Sequence, residues 1–256
     1  LKMTGRGYDL KGIDEKEKFS HPLPMGSIDK EKSKENILSW LTTKSTFSTK
    51  IDGNSVAVYY RDGKLWKVIT RGKDDVGIDR TAKFITCKTI PTKIPTLGYV
   101  RVRGEAAIKK ADYTSANGFD VEKACRNAVA GAISRQTDWE DVFKFVDFVA
   151  YDYRDCDSGE DLSDNDWSMF LREEQKPIDE FYTLTIDEFK QKYKTDYAYD
   201  ADGIVFRKGH DLIAFKFEDE SVDTQLLDIR WSIGKDQRLT PVAKIKPIQL
   251  AGATIE

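Results

Sequence analysis

The chain has 256 residues, 39% hydrophobic and 33% charged, with a net charge of -3, which suits one large soluble globular domain or two modest ones. No stretch approaches the roughly 18 apolar residues of a membrane span, and the opening LKMTGRGYDLKGIDEKEKF lacks the apolar centre of a signal peptide. Cys87, Cys125 and Cys156 are scattered without a CxxC pair, which argues against a zinc or redox motif and for a reducing, cytoplasmic setting.

Residues 1–20 are polar and expected to be loose. In 31–41, EKSKENILSWL, Ile37, Leu38 and Leu41 share one side of a short helix. From Phe47 to Arg71 the pattern is a strand meander, with VAVYY and LWKVIT flanking the hairpin signal RDGK. Residues 79–89 suit a helix with Asp79 as N-cap, and GYVRVRGEAAI (98–108) alternates as a strand. VEKACRNAVAGAIS (121–134) reads as helical in its first half, and VFKFVDFVAYDY (142–153) as a strand. Trp167, Phe170 and Leu171 have helical spacing, as do Ile186, Phe189 and Tyr193; GIVFRK and LIAFKF are short strands. Meandering strands with helices set beside them imply an α+β domain, not a doubly wound one. The tail has strand composition and turn signals but too few residues for a core, so the expected organisation is 1–20 lead-in, 21–228 main domain and 229–256 the start of a second, all-β domain.

Lys50, in STKIDGNSV, poses the functional question. Alone, a lysine before an Asp-Gly turn is more often solvated than chemical. Its company is more specific. KIDG (50–53), TRGKDDVGIDRT (70–81), VRGEAAI (102–108), FVAY (148–151), DGIVFR (202–207) and IAFKF (213–217) resemble, in order, the motifs of the covalent nucleotidyltransferases: DNA ligases, RNA ligases and capping enzymes. HPLPMGSID (21–29), RNAVAGAISR (126–135) and GKDQRLTPVAKIKPIQLAGATI (234–255) resemble the NAD-dependent DNA ligases in particular, the last as the start of an oligonucleotide-binding (OB) barrel. The implied fold is an antiparallel-sheet, ATP-grasp-like adenylation domain with helices packed on its sheets, followed by the first strands of an OB-fold.

The resemblance implies the following roles. Lys50 is the nucleophile that takes AMP from NAD as a phosphoramidate. Its amine must be neutral to attack, and Arg207 and Lys216 are expected both to favour that form and to hold the phosphate. Asp52 orients the site or the 3′ end of a nick. Arg71 and Glu105 contact the ribose, Tyr151 stacks on adenine, and Ser27 and Ile28 line the adenine pocket. Asp202 engages Mg2+. Arg126 and Arg135 contact phosphate at the 5′ end of nicked duplex DNA. Each has a plainer reading. Tyr151 lies in an apolar run and suits a core, Arg71 can follow its strand into a turn, Glu105 can pair with Arg103, and Arg126 and Arg135 can lie on a solvated helix face. His21 and His210 have no metal-ligand spacing. The net charge does not advertise DNA binding, but a local basic face matters more than the sum.

The chain departs from the family pattern in places. Ser48 stands where a glutamate usually reads the adenine amino group, and Arg207 where this branch usually has lysine. RNAVAGAISR has one residue more between its arginines, and RGKDDVG lacks a turn glycine. Only about 20 residues precede HPLPM, too few for the family's nicotinamide-binding domain. The chain is therefore expected to be a fragment, a subunit with a partner carrying the missing parts, or a compact viral or phage enzyme, and to react poorly with NAD by itself. The alternatives are an ATP-dependent DNA or RNA ligase domain and a catalytically dead nucleic-acid-binding subunit.

Overall fold

The computed structural model describes residues 3–4, 7–8, 17–31, 33–162, 167–183, 186–209, 211–217, 222–233, 239–250 and 253–255; His210 lies outside them. In chain order they form β1 (Lys18–Ser20), β2 (Asp29–Glu31), α1 (Lys34–Trp40), β3 (Thr46–Ile51), β4 (Asn54–Arg61), β5 (Lys64–Thr70), β6 (Val76–Ile78), α2 (Thr81–Phe84) and β7 (Tyr99–Ile108). Then follow α3 (Cys125–Ser134), α4 (Glu140–Phe143), β8 (Val146–Asp155), β9 (Lys176–Pro177), α5 (Ile178–Thr183), α6 (Ile186–Lys190), β10 (Ala201–Lys208) and β11 (Asp211–Lys216). The tail adds β12 (Leu226–Ile233), β13 (Leu239–Ile245), β14 (Ile248–Leu250) and β15 (Ala253–Ile255).

Two antiparallel sheets face each other across a cleft. The first has the order β8-β7-β4-β5. Its β4–β5 hairpin turns at Asp62 and Gly63, both left-handed at φ 46° and 74°, as a two-residue Asp-Gly turn requires. The second has the order β9-β3-β10-β11-β2, antiparallel except where β2 runs parallel to β11. Strand alternation gives each sheet one apolar face. Val56, Val58, Val102 and Phe148 of the first pack on Phe84, Val129, Ile133 and Phe143 from the helices. Phe47, Ile204 and Phe206 of the second pack on Ile37, Leu41, Phe189 and Tyr193. The mixed α+β class expected from the meander is the class observed.

Several elements differ from expectation. Helix 79–89 is one turn, after which 3-10-type bonds from Thr86, Cys87 and Ile90 fold the chain so that Phe84, Cys87 and Ile90 are all buried. Asp79 is not its N-cap, which is Arg80; its carboxylate accepts from Thr81 and Lys67. The helix expected in the first half of 121–134 instead begins at Cys125 and runs through the second half to Ser134, and strand pairing in 142–153 starts only at Val146, because Val142 and Phe143 are buried on a helical turn. The 167–171 segment is a single 3-10 turn at Trp167–Met169; beyond it, the β8 edge claims Leu171, whose carbonyl accepts from Ala150 N–H at 2.8 Å. Leu38 is 37% exposed while Ile37 and Leu41 are buried.

Within the polar lead-in, Met3–Thr4 pairs with Gly7–Tyr8, and β1 pairs with β6. From there residues 19–28 form a strap across the cleft side of the first sheet. Phe19 and Met25 pack with Tyr59, Ala57 and Ile69. Met25 N–H donates to Asp75 Oδ1 at 2.7 Å, and His21 N–H to the Asp75 carbonyl. Asp74 and Asp75 take left-handed φ of 51° and 57°, so the loop that lacks a turn glycine still turns and anchors the strap. The His21 ring is buried, with Nε2 3.0 Å from the Thr70 carbonyl and Nδ1 2.6 Å from the Tyr59 hydroxyl. A carbonyl only accepts, so Nε2 carries the proton and Nδ1 accepts.

Burial, with a smaller push from Arg101, lowers the His21 pKa to about 4, against the raising effect of the Thr70 bond. The folded protein therefore prefers neutral His21. Its contribution, up to about 3 kcal/mol, is fully present above the unfolded pKa near 6.5 and is lost as pH falls toward 4. Melting temperatures of the native chain and His21→Asn at pH 7 and 4.5 should converge in acid. An unchanged gap would show that His21 does not titrate against the fold. Among the described residues no helix is long and apolar enough to cross a membrane.

Candidate active site

Register builds the floor of the cleft. Lys50 on β3 pairs with Gly203 on β10, which pairs with Lys216 on β11. The next rows with the same pleat are Ser48, Val205 and Ala214, then Thr46, Arg207 and Leu212. Because partners across a sheet share a face, Lys50, Lys216 and Arg207 rise from one surface. Gly203 is required there: a Cβ would lie 2.3 Å from the Phe215 carbonyl oxygen.

Two bulges aim side chains into the cleft. Pairing of β10 with β3 slips between Ala201 and Gly203, and pairing of β8 with β7 slips between Ala150 and Asp152. The extra residues are Asp202 and Tyr151, and re-aiming a side chain is what a bulge does. Asp202 Oδ1 lies 2.6 Å from Lys50 Nζ, and Oδ2 lies 3.9 Å from Lys216 Nζ. The charge nearest Lys50 is thus a carboxylate, where sequence reasoning expected Arg207 and Lys216. The Tyr151 hydroxyl is 2.9 Å from Ser55 Oγ, and the Arg103 guanidinium lies 5.6 Å over its ring. Arg207 crosses the cleft to donate to the Tyr151 carbonyl at 3.3 Å.

The turn after Lys50 approaches β7 so closely that a Cβ on Gly53 would lie 2.8 Å from the Ala106 oxygen. Asp52 there accepts from Arg126 Nη1 at 2.8 Å, while Asn54 Nδ2 donates to the Arg126 carbonyl at 3.0 Å. Glu105 faces the same space from β7. Burial pushes its pKa up to about 7, although Lys50, Arg71 and Arg103 pull it down.

At the far end, residues 171–175 join the sheets. Glu173 N–H donates to the Ala150 carbonyl on β8, while Glu173 Oε1 accepts from Thr49 N–H on β3 at 2.9 Å. Tyr197 Oη donates to Glu173 Oε2.

An inner pocket is lined by Ile28, Ser48, Lys50, Glu105, Tyr151, Glu173 and Arg207, among others. It opens into a wider cleft lined by Ser27, Lys50, Asp52, Arg71, Arg126, Asp202 and Lys216, among others. Every predicted site residue lines one or the other except Arg135. That residue is the C-cap of α3, nine positions past Arg126, or two and a half turns and about 13 Å along the helix. Its guanidinium lies by Gly131 and donates to the Asp138 carbonyl. Sequence reasoning gave no site role to Asn54, Ser55, Arg103 and Glu173; Arg103 entered only as a pairing partner of Glu105, whose face of β7 it shares.

The magnesium ion implied by the motifs would meet one carboxylate, Asp202. No group of three His, Cys, Asp or Glu side chains converges among the described residues. One carboxylate suits an ion that takes most of its ligands from phosphate and water, not a metal held by protein alone.

The family model for the NAD-dependent DNA ligase adenylation domain matches residues 14–212. DNA ligase 2 of Clostridium acetobutylicum is 28% identical over a 285-position alignment covering 94% of this chain and 43% of that protein. A DNA ligase of Listeria innocua is 32% identical over 239 positions, 80% of this chain and 35% of that protein. The chain thus spans less than half the length of these relatives. The solved structure Pmar-Lig_PreS3 superposes with a TM-score of 0.51 at 14% identity, over 89% of this chain and 54% of that one, a likeness of fold.

Proposed function

The chain belongs to the NAD-dependent DNA ligase adenylation domain family, and from that premise we propose that Lys50 becomes covalently adenylated and delivers AMP to a 5′-phosphate at a nick in duplex DNA. The observation that carries this reading is the placement of Lys50 Nζ: on the floor of a pocket, in a row with Lys216, faced by Glu105 and Tyr151, and 2.6 Å from Asp202.

Lys50 Nζ gives up a proton, for which Asp202 is the acceptor in contact, and attacks the α-phosphorus of NAD. A P–N bond forms, the P–O bond to nicotinamide mononucleotide breaks, and that mononucleotide leaves. A 5′-phosphate oxygen then attacks the same phosphorus, P–O replaces P–N, and the lysine regains a proton. The 3′-hydroxyl next attacks the activated 5′-phosphate and AMP departs. Lys216 and Arg207 hold the negative oxygens, Tyr151 offers its ring to adenine, and Glu105 and Arg71 take the ribose. Mg2+ would be held at Asp202 and would supply positive charge to the phosphate oxygens.

Arg126 lines the cleft and is 38% exposed at its side chain, which leaves its guanidinium available to the 5′-phosphate. Residues 229–256 are read as the opening of an OB barrel. The β12–β13 hairpin supports this, since it exposes Leu226, Ile229, Trp231, Ile233 and Val242, side chains a barrel would bury.

The test is incubation with NAD or ATP, each labelled in the AMP moiety, followed by intact mass measurement. Slow, incomplete AMP labelling from NAD and none from ATP is the expected result; efficient labelling from NAD would overturn the expectation that this chain reacts poorly with NAD by itself. Label from ATP alone would reassign the donor. Label from neither, with nicked DNA still bound, would make the chain a binding subunit.

A further inference from the structure

The inner pocket holds a carboxylate that the proposed chemistry does not use. Glu173 is 8% exposed, and among the described residues no lysine or arginine forms an ion pair with it. Burial raises its pKa. A buried carboxylate without a cation is costly to keep, and its structural duty does not explain the charge. Accepting from Thr49 N–H at the β3 edge is work a glutamine oxygen would do equally well.

We propose that Glu173 reads the 6-amino group of the purine, as a specificity-determining residue; this rests on the adenylate reading of the pocket. Oε1 accepts from Thr49 N–H and Oε2 from the Tyr197 hydroxyl, and the buried Thr49 hydroxyl also lies against the carboxylate. The two oxygens together accept about four hydrogen bonds, so one acceptor site is left after these three donors. The neighbouring polar groups are less suited. Ser48 on the floor is a neutral hydroxyl, the Gln175 oxygen accepts from Thr46 Oγ1, and Arg207 can only donate. A 6-amino purine presents a donor to Glu173. A 6-oxo purine presents a carbonyl oxygen, which the carboxylate repels and which leaves a buried acceptor unmatched. The base-reading carboxylate thus comes from the segment joining the two sheets, not from the nucleophile strand.

Calorimetry on the full chain and on Glu173→Gln, with AMP, purine riboside 5′-monophosphate and IMP, tests this. The native chain should bind AMP about 10-fold more tightly than the 6-unsubstituted nucleotide, as one charge-assisted hydrogen bond supports. In Glu173→Gln that ratio should fall to about one, IMP should gain because an amide can donate to its oxygen, and the 6-unsubstituted nucleotide should bind as before. A retained AMP preference overturns the proposal. So does a variant that also loses the 6-unsubstituted nucleotide, since Glu173 would then be a strand-edge staple only. If the native chain binds none of the three, the adenylate reading fails with it; if either overturning result appears while the native chain binds AMP and Lys50 takes label, only the role of Glu173 falls.

Discussion

Lys50→Ala will carry no AMP after incubation with any nucleotide donor, and Lys50→Arg will behave the same. Among the described residues no other lysine lies as near Asp202: Lys216 Nζ is 3.9 Å from the carboxylate, against 2.6 Å for Lys50. The arginine variant separates chemistry from fold. It keeps a positive charge for Asp202, but a guanidinium in proteins stays protonated and is not a nucleophile. Loss of adduct beyond detection, at least about 10³-fold, is expected for both, as for removal of any covalent nucleophile. Neither should unfold. The Lys50 and Asp202 side chains are 24% and 20% exposed, and Lys216 remains near the carboxylate, so the stability change should stay near 1 kcal/mol. Intact mass and thermal melting on the same samples check both halves. An AMP adduct on Lys50→Arg would mean that another residue is the nucleophile.

Alternation made much of this site legible. In KIDG, GIVFR and IAFKF a period of two places Lys50, Arg207 and Lys216 on one surface once their strands pair, and the register does so. Alternation misleads at the two bulges. It would set Asp202 on the face of Ile204 and Phe206, both fully buried, yet the slip before Gly203 turns it to Lys50. In FVAYDY, strict alternation from Phe148 and Ala150 would set Asp152 in the apolar core. The slip after Ala150 puts Tyr153 there instead, turns Asp152 to a buried pairing with Arg101 and leaves Tyr151 on the pocket wall, where sequence alone left core and stacking roles open. A bulge depends on partner strands distant in sequence, so no local pattern announces it. Glu173 was invisible for a related reason: it lies in EEQKP, which has no periodicity, and its position follows from bonds to Ala150 and Thr49. Arg135 shows the converse, a motif position that the length of a helix carries away from the cleft.

Arg101→Met should be the most destabilising single change outside the apolar cores, and it should also weaken nucleotide binding at a distance. Arg101 is 2% exposed and Asp152 5%, with Nη2 donating to Oδ2 at 2.9 Å. Burial would push the Asp152 pKa up, but Arg154 and Arg101 hold it below the usual carboxylate range. Removing one partner of such a pair leaves a buried charge and costs about 3–5 kcal/mol. Arg154, which also donates to Asp152 at 2.9 Å, should keep the loss near the lower figure. For a chain of this size that is a fall of roughly 10 °C in melting temperature. The functional effect follows from the other hydrogen bonds of Arg101: Nη1 donates to the carbonyls of Leu23 and Pro24 at 3.0 and 3.3 Å. These bonds fix the strap just before Ser27 and Ile28, which line the cleft and the inner pocket. Without them the strap is left with the β1–β6 pairing, its bonds at His21 and Met25 and one from Arg103 to Gly26. AMP affinity should then fall about tenfold, the equivalent of 1.4 kcal/mol, while Lys50 remains able to take label at saturating donor. Replacing both charges, as Arg101→Met with Asp152→Leu, should recover part of the stability because no uncompensated carboxylate remains, but not the affinity, since the strap carbonyls still lack their donor. Melting and AMP titration of the single and double variants decide it. A single variant that melts like the native chain would remove the buried pair from the account of what holds the pocket closed.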